Sequence, residues 1–362
     1  MKNPLFFLLF LFLANCVFSQ NILENSSQFD KLLSKHNVWG EKIQLGTSSK
    51  GKPIYAYYYN KGGSETAMVL AGVHGSEFYG VDVAYEVKKR LDQKKVKKSK
   101  WKILLIPELF PDNVEKGRNH PFSINYGRKT CEVCHGQDSD CSFCSDPNRQ
   151  MPCINTYFKP GDTLSCFNEK IETENQILLY LTQKFNPDRT VSIHCKNSSG
   201  LEEIGIYADP KTGVNNTALG FQSDAFLALE MAFKVKERGG TIFGNFINEK
   251  IKVVNDSIEI QKVSYLNPIY PQDPPANFKG ENQIRSYETN GGKVTYGTWA
   301  SSEIRDGNKR LLKKAATLIT VEMPQFYYFF DEKDNPETVR LRELKQNTSA
   351  YADAITEVFL KE

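Results

Sequence analysis

The stretch "AMVLAGVHGSEFYG", residues 67–80, decides how this chain folds. From Ala67 to Val73 every residue is apolar or small, which suits a strand buried on both faces. Directly after it, "YGVDVAYEVKKRL" (residues 79–91) spaces its apolar residues as a helix does. A buried strand feeding a helix is the start of a βαβ unit, from which parallel sheets are built. The turn between the two carries His74 and, three residues on, Glu77. That pair is either a metal site at the carboxyl end of a strand or a polar turn without chemistry. A metal site needs a third ligand, an open coordination position and a catalytic carboxylate elsewhere in the chain.

Outward from there the alternation continues. "PIYAYYYN" (53–60), "KILLIP" (102–107), "TVSI" (190–193) and "TLITVEM" (317–323) read as strands. "IETENQILLYLTQKF" (171–185) and "DAFLALEMAFKVKERG" (224–239) read as helices, the second stopped by Gly239 and Gly240. The tail from about 336 to 361 reads as a closing helix. The expected fold is α/β, a mixed, mostly parallel twisted sheet with helices on both faces. Sites in such sheets lie at the carboxyl ends of the strands. His194 follows "TVSI" and Glu322 ends "TLITV", so two of the five histidines and a lone acid occupy that kind of position. Two imidazoles and a carboxylate, His74, Glu77 and His194, suit zinc and leave its fourth position open, as a catalytic site requires.

The chain has 362 residues, 40% of them apolar, enough to bury a large core. A net charge of +3 gives no case for nucleic acid as a partner. The basic run "KKRLDQKKVKKSK" (88–100) reads as a solvated helix end and loop. Near the start, Lys2 precedes ten apolar residues, Leu5 to Ala14, too few to span a bilayer and suited to the core of a signal peptide. Two processing sites compete. Cleavage after Ser19 makes 1–19 the leader and 20–362 a single catalytic domain; lipidation at Cys16 in "LANC" shortens the leader to 1–15. Either implies export to the periplasm, the cell surface or the medium, with membrane contact only through a lipid anchor at Cys16. Six of the eight cysteines fall between 131 and 166. In an exported protein such an insert reads as disulfides, three of them. Its "CEVCHGQDSDCSFC" (131–144) also has the form of a zinc knuckle, though with tighter spacing than ordinary zinc ribbons use. Cys195 is then a buried free thiol.

These motifs together resemble the zinc carboxypeptidases of the carboxypeptidase A type, over most of the chain beyond the leader. "HGSE" (74–77) resembles the family's first ligand pair and "SIHC" (192–195) its third-ligand segment, with Cys195 where a serine is common. "YGRKT" (126–130), "DPNR" (146–149), "YETNGGKV" (287–294) and "TVEMP" (320–324) follow the family's remaining motifs in order. The resemblance implies one zinc per chain held by His74, Glu77 and His194, with Asp146 supporting the His74 imidazole. It implies Glu322 as general base, Arg128 as oxyanion donor, and Asn148 with Arg149 as the grip on a substrate's terminal carboxylate. It implies Tyr287 closing over the substrate and Val294 in the specificity pocket. Arg118 competes with Arg128, and Tyr296 with Tyr287.

The substrate is then a peptide with a free C-terminus. The runner-up is a peptidoglycan stem peptide, since "GTW" (297–299) and "EMP" (322–324) resemble the bacterial murein peptide amidase branch and Lys293 offers a charge for an acidic substrate group. An apolar Val294 argues against a basic side chain in the pocket. A non-catalytic binding lipoprotein on the same fold requires a missing ligand or a missing Glu322, and each of those residues has a candidate.

Overall fold

The computed structural model describes residues 27–120, 127–128, 145–196, 204–214, 219, 222–245, 249–254, 257–262, 294–325 and 336–361. The leader, four of the six clustered cysteines, and Tyr287 with Lys293 lie outside them. The strands are β1 (Asn37–Thr47), β2 (Pro53–Lys61), β3 (Glu65–Ala71), β4 (Trp101–Ile106), β5 (Arg189–Lys196), β6 (Gly205–Asp209), β7 (Glu249–Val254), β8 (Ser257–Lys262), β9 (Ile304–Arg305), β10 (Leu311–Lys313) and β11 (Thr317–Pro324). The helices are α1 (27–33), α2 (Phe78–Gln93), α3 (Pro111–Asn119), α4 (Thr173–Phe185), α5 (Gln222–Glu237), α6 (Tyr296–Ala300) and α7 (Pro336–Asp353). Among the described residues, no helix is long and apolar enough to cross a membrane.

Seven strands make the main sheet, in the order β1-β2-β4-β3-β5-β11-β6. The central four, β4, β3, β5 and β11, run parallel. β1 and β2 extend one edge antiparallel, and β6 closes the other edge antiparallel to β11. The sheet is mixed with a parallel centre, as the alternating pattern implies. The central strands are mostly apolar because both their faces are covered, and their polar residues gather toward the strand ends. Ala67, Val69, Val191, Ile193, Ile319 and Val321 point into a core layer shared with α2, α5 and α7. Met68, Leu70, Leu104, Ile106 and Leu318 point the other way, toward α1, α4 and α6. Each such side chain, fully buried, contributes about 1.5–3 kcal/mol of transfer free energy.

Three boundaries differ from the sequence reading, each for a physical reason. β3 ends at Ala71 because Gly72 turns the chain with φ of +71°, leaving Val73 and His74 beyond the strand. β5 runs on to Lys196, so His194 lies inside the strand rather than after it. The closing helix changes to a wider, π-type winding over Ala354–Phe359. In the cysteine insert, Cys153 and Cys166 are joined as a disulfide, and Cys195 is a buried free thiol.

Candidate metal centre

The site begins where β3 ends. After Gly72 the chain passes through His74 into a 3-10 turn, Gly75–Glu77, that leads straight into α2. This turn is pressed against α3 so closely that a Cβ at Gly75 would lie 1.9 Å from the Asn113 carbonyl carbon, which leaves room only for glycine. The Gly75 N–H donates to the Gly127 carbonyl at 2.8 Å, drawing the neighbouring Arg128 to the same turn.

Glu77 is the hub. Its Oε1 meets His74 Nδ1 at 2.8 Å and accepts from Arg128 Nη1 at 3.0 Å. Its Oε2 meets His194 Nδ1 at 2.8 Å and accepts from the Cys195 N–H at 3.3 Å. The second nitrogen of each imidazole is also engaged: His74 Nε2 lies 2.8 Å from Asp146 Oδ1, and His194 Nε2 lies 3.0 Å from Ser192 Oγ. Both rings are thereby turned so that Nδ1 faces the carboxylate. All three side chains are buried, and their ligand atoms lie within 4.8 Å of one another.

Burial opposes charge on every one of these groups, and the mutual contacts decide the outcome. Burial works against ionisation of Glu77, yet the imidazoles of His74 and His194 hold its carboxyl well below the usual range. Burial likewise disfavours a charged His74, but Glu77 and Asp146 on either side raise its pKa to about 9. Metal binding requires the ligating imidazole nitrogen to be free of its proton, so affinity for a cation falls as pH drops. The donor set fits such an ion: two oriented imidazole nitrogens, one ionised carboxylate, and an outer carboxylate on the first histidine.

Glu322 sits beside this group through the sheet itself. β11 and β5 pair in parallel register, with Glu322 opposite His194 and Thr320 opposite Ser192. Among the described residues, Glu322 has no hydrogen-bond or ion-pair partner. Burial is the main cause that raises its pKa, with the nearby charge of Glu77 adding to it. An unpartnered acid with an elevated pKa beside a ligand set has the property a proton carrier needs.

Arg128, not Arg118, is the arginine at the centre: Arg118 pairs with Asp82 at 2.6 Å and lies over the Phe78 ring. Asn148 and Arg149 sit on the 3-10 turn Pro147–Arg149, whose preceding Asp146 accepts from the Asn148 N–H at 2.8 Å. Asn148 Oδ1 accepts from the Tyr296 N–H at 3.0 Å, which leaves its NH2 group free to donate. Arg149 makes no ion pair among the described residues; its guanidinium's one hydrogen bond among them is to the Asn148 carbonyl at 3.4 Å. Val294 is fully buried in the second core layer with Tyr296 and Trp299. Tyr296 is fixed there, its hydroxyl 3.0 Å from Thr182 Oγ1, so it is not a mobile flap.

The sequence reading missed Asp209. It ends β6, accepts from Thr320 Oγ1 at 2.9 Å, and has no cationic partner among the described residues. Its carboxylate faces Gly297, where a Cβ would lie 2.8 Å from both oxygens. Thr320 and Glu322 are two apart on β11 and share a sheet face, which puts Asp209 on the same face as Glu322. Burial raises its carboxyl to about 6. An acid ending a short strand gives no periodic signal; only the antiparallel pairing of β6 onto β11 reveals it.

No protein-family model matches the chain, and no curated protein matches it. Solved structures similar in fold include carboxypeptidase A from Helicoverpa armigera, at 13% identity over 87% of this chain and 68% of that one, with a TM-score of 0.47. A metallo-carboxypeptidase from Pseudomonas aeruginosa in complex with (2-guanidinoethylmercapto)succinic acid shares 14% identity over 93% of this chain and 70% of that one, TM-score 0.44. A candidate metallopeptidase from Shewanella amazonensis shares 16% identity over 88% and 86%, TM-score 0.44.

Loss of a candidate ligand and loss of the neighbouring Glu322 carboxylate are separable by substitution. His194→Ala is expected to lose the bound metal, because a site of three protein donors has no spare. Glu322→Gln is expected to retain one metal per chain. Elemental analysis after gel filtration checks both, and full metal in His194→Ala contradicts the assignment.

Proposed function

We propose that this chain is an exported zinc metallocarboxypeptidase that hydrolyses the C-terminal peptide bond of peptides. The observation that carries the proposal is the placement of an unpartnered, partly exposed Glu322 directly opposite His194, beside a converging His74, Glu77 and His194. Those three residues would hold a divalent metal, which would supply a Lewis acid to polarise a carbonyl and lower the pKa of water. The protein's own residues do the rest. Glu322 takes a proton from the water and delivers it to the leaving amine, a role typically worth roughly 100 to 10,000-fold in rate. Arg128, with part of its side chain exposed, donates to the oxygen on which negative charge develops. Asp146 holds the His74 ring in one orientation and anchors the turn that carries the carboxylate grip.

The half-buried Arg149, with no ion pair among the described residues, supports recognition of a free C-terminus, since a guanidinium bonds a carboxylate through two parallel N–H groups. Its neighbour Asn148 offers amide hydrogens to the same group. A substrate anchored there places its last peptide bond at the metal and excludes internal bonds.

Asp209 favours the basic terminal residue that Val294 argued against, and Val294 itself is packed in the core. A recessed carboxylate with no internal cation, on the same sheet face as Glu322, favours a terminal residue with an amine or guanidinium. Lysine and arginine have such groups, and so does the diaminopimelate of a cell-wall stem peptide, which keeps peptidoglycan fragments among the substrates to assay.

Two outcomes test this. The enzyme is expected to cleave a free-acid peptide at least roughly tenfold better than its C-terminal amide, since charge-assisted hydrogen bonds contribute about 1.5–3 kcal/mol each. Arg149→Ala is expected to erase that difference by impairing the acid alone. Equal turnover of acid and amide by the unmodified enzyme contradicts exo-cleavage. Second, the ratio of kcat/KM for terminal lysine over terminal leucine is expected to rise as pH passes upward through about 6, where Asp209 ionises. Glu322 and the metal affect both substrates and cancel in that ratio. In Asp209→Asn the ratio is expected to fall at least roughly tenfold and to lose this pH dependence; a ratio unchanged by the substitution removes Asp209 from recognition.

A further inference from the structure

The turn that presents Asn148 and Arg149 is held from behind by a residue that touches neither metal nor substrate. Asn175, the third residue of α4, has no solvent exposure. Its Nδ2 gives one hydrogen to the Pro147 carbonyl at 2.8 Å and the other to Gln150 Oε1 at 2.9 Å. Gln150 is equally buried, and its Oε1 also accepts from the Glu172 N–H at 3.0 Å, at the N-terminus of α4. Two buried amides therefore join the first turn of α4 to both ends of the Pro147–Gln150 segment.

Three supports fix this turn. His74 reaches it through Asp146, and the start of α6 reaches it through Asn148 Oδ1. Asn175 is the third, and it is the one that bonds the main-chain carbonyl directly before Asn148. Arg149 has no ion pair of its own among the described residues, so the direction of its guanidinium depends on the backbone that carries it. Without the Nδ2 hydrogens, the Pro147 carbonyl keeps only the long 3.4 Å bond from the Gln150 N–H and Gln150 Oε1 keeps only the Glu172 N–H, so the Pro147–Asn148 peptide plane is held less firmly.

We infer that Asn175 is a positioning residue for recognition of the substrate carboxylate, acting through the Pro147–Gln150 turn. The inference rests on the carboxypeptidase reading for its functional consequence, and on the geometry alone for its structural one. Asn175→Ala removes both donors, and Asn175→Asp removes them at constant size. If the first variant does not fold, the second decides.

Two measurements are made on the metal-loaded protein. Hydrogen exchange at the Asn148, Arg149 and Gln150 amides is expected to speed up in the variants, while the amides of α2 keep their protection. In parallel, kcat/KM for a free-acid peptide is expected to fall roughly tenfold to a hundredfold, mainly through KM. The amidated peptide is expected to change little, and metal content to stay at one per chain. A purely structural role lowers both substrates together and predicts no collapse of the acid-to-amide ratio. Unchanged exchange at residues 148–150 overturns the inference whatever the substrate does. Faster exchange with an unchanged acid-to-amide ratio in an enzyme that does prefer acids also overturns it. If the unmodified enzyme shows no preference for acids, the carboxypeptidase reading fails, and the exchange result alone decides whether Asn175 holds the turn.

Discussion

Everything at this site depends on one buried carboxylate that has donors on every side. Glu77 receives two imidazoles, a guanidinium and a main-chain N–H, and these come from three separate stretches of chain. A carboxylate this deep would be expensive to ionise without such partners. With them it is held ionised, and it draws His74, the Arg128 segment and β5 to one point. Removing one member of so buried a set leaves the others uncompensated, which is why the site behaves as a unit.

The sheet supplies the second constraint. Parallel pairing of β5 and β11 fixes His194 opposite Glu322 and Ser192 opposite Thr320, and antiparallel pairing of β6 brings Asp209 beside Thr320. One face of the sheet near its carboxyl end thus presents His194, Glu322 and the recessed Asp209 as neighbours on a grid. A one-residue slip of β11 would turn Glu322 to the opposite face. The same strand carries Ile319, Val321 and Met323 into the first core layer, and their burial makes that slip costly. Core packing and the geometry of the candidate site are in this sense set by the same register.

The central strands and their helices are legible in the sequence because a strand buried on both faces must be apolar throughout, and the helices after it must space their apolar residues for one covered side. His74, Glu77, His194 and Glu322 stand out as the polar residues that interrupt this pattern at strand ends. β1 is harder to read, since it is mostly part-exposed and interrupted by irregularities between Trp39 and Glu41 and between Gln44 and Gly46. β6 has only five residues and an acid at its end, too short for alternation to show. Asp209 and Asn175 escape for a related reason: their roles depend on partners far along the chain, Thr320 in one case and Pro147 in the other. Val294 shows the converse, an apolar residue whose motif suggests a pocket and whose packing places it in the core.

The central claim is that the metal belongs to His74, Glu77 and His194 and not to the cysteine-rich insert. X-ray absorption at the zinc edge, on protein loaded with one equivalent, tests it most directly. A first shell of nitrogen and oxygen donors at about 2.0–2.2 Å is expected, with the outer-ring scattering of two imidazoles and no sulfur. A shell containing sulfur at about 2.3 Å would contradict it and move the metal to the cysteines.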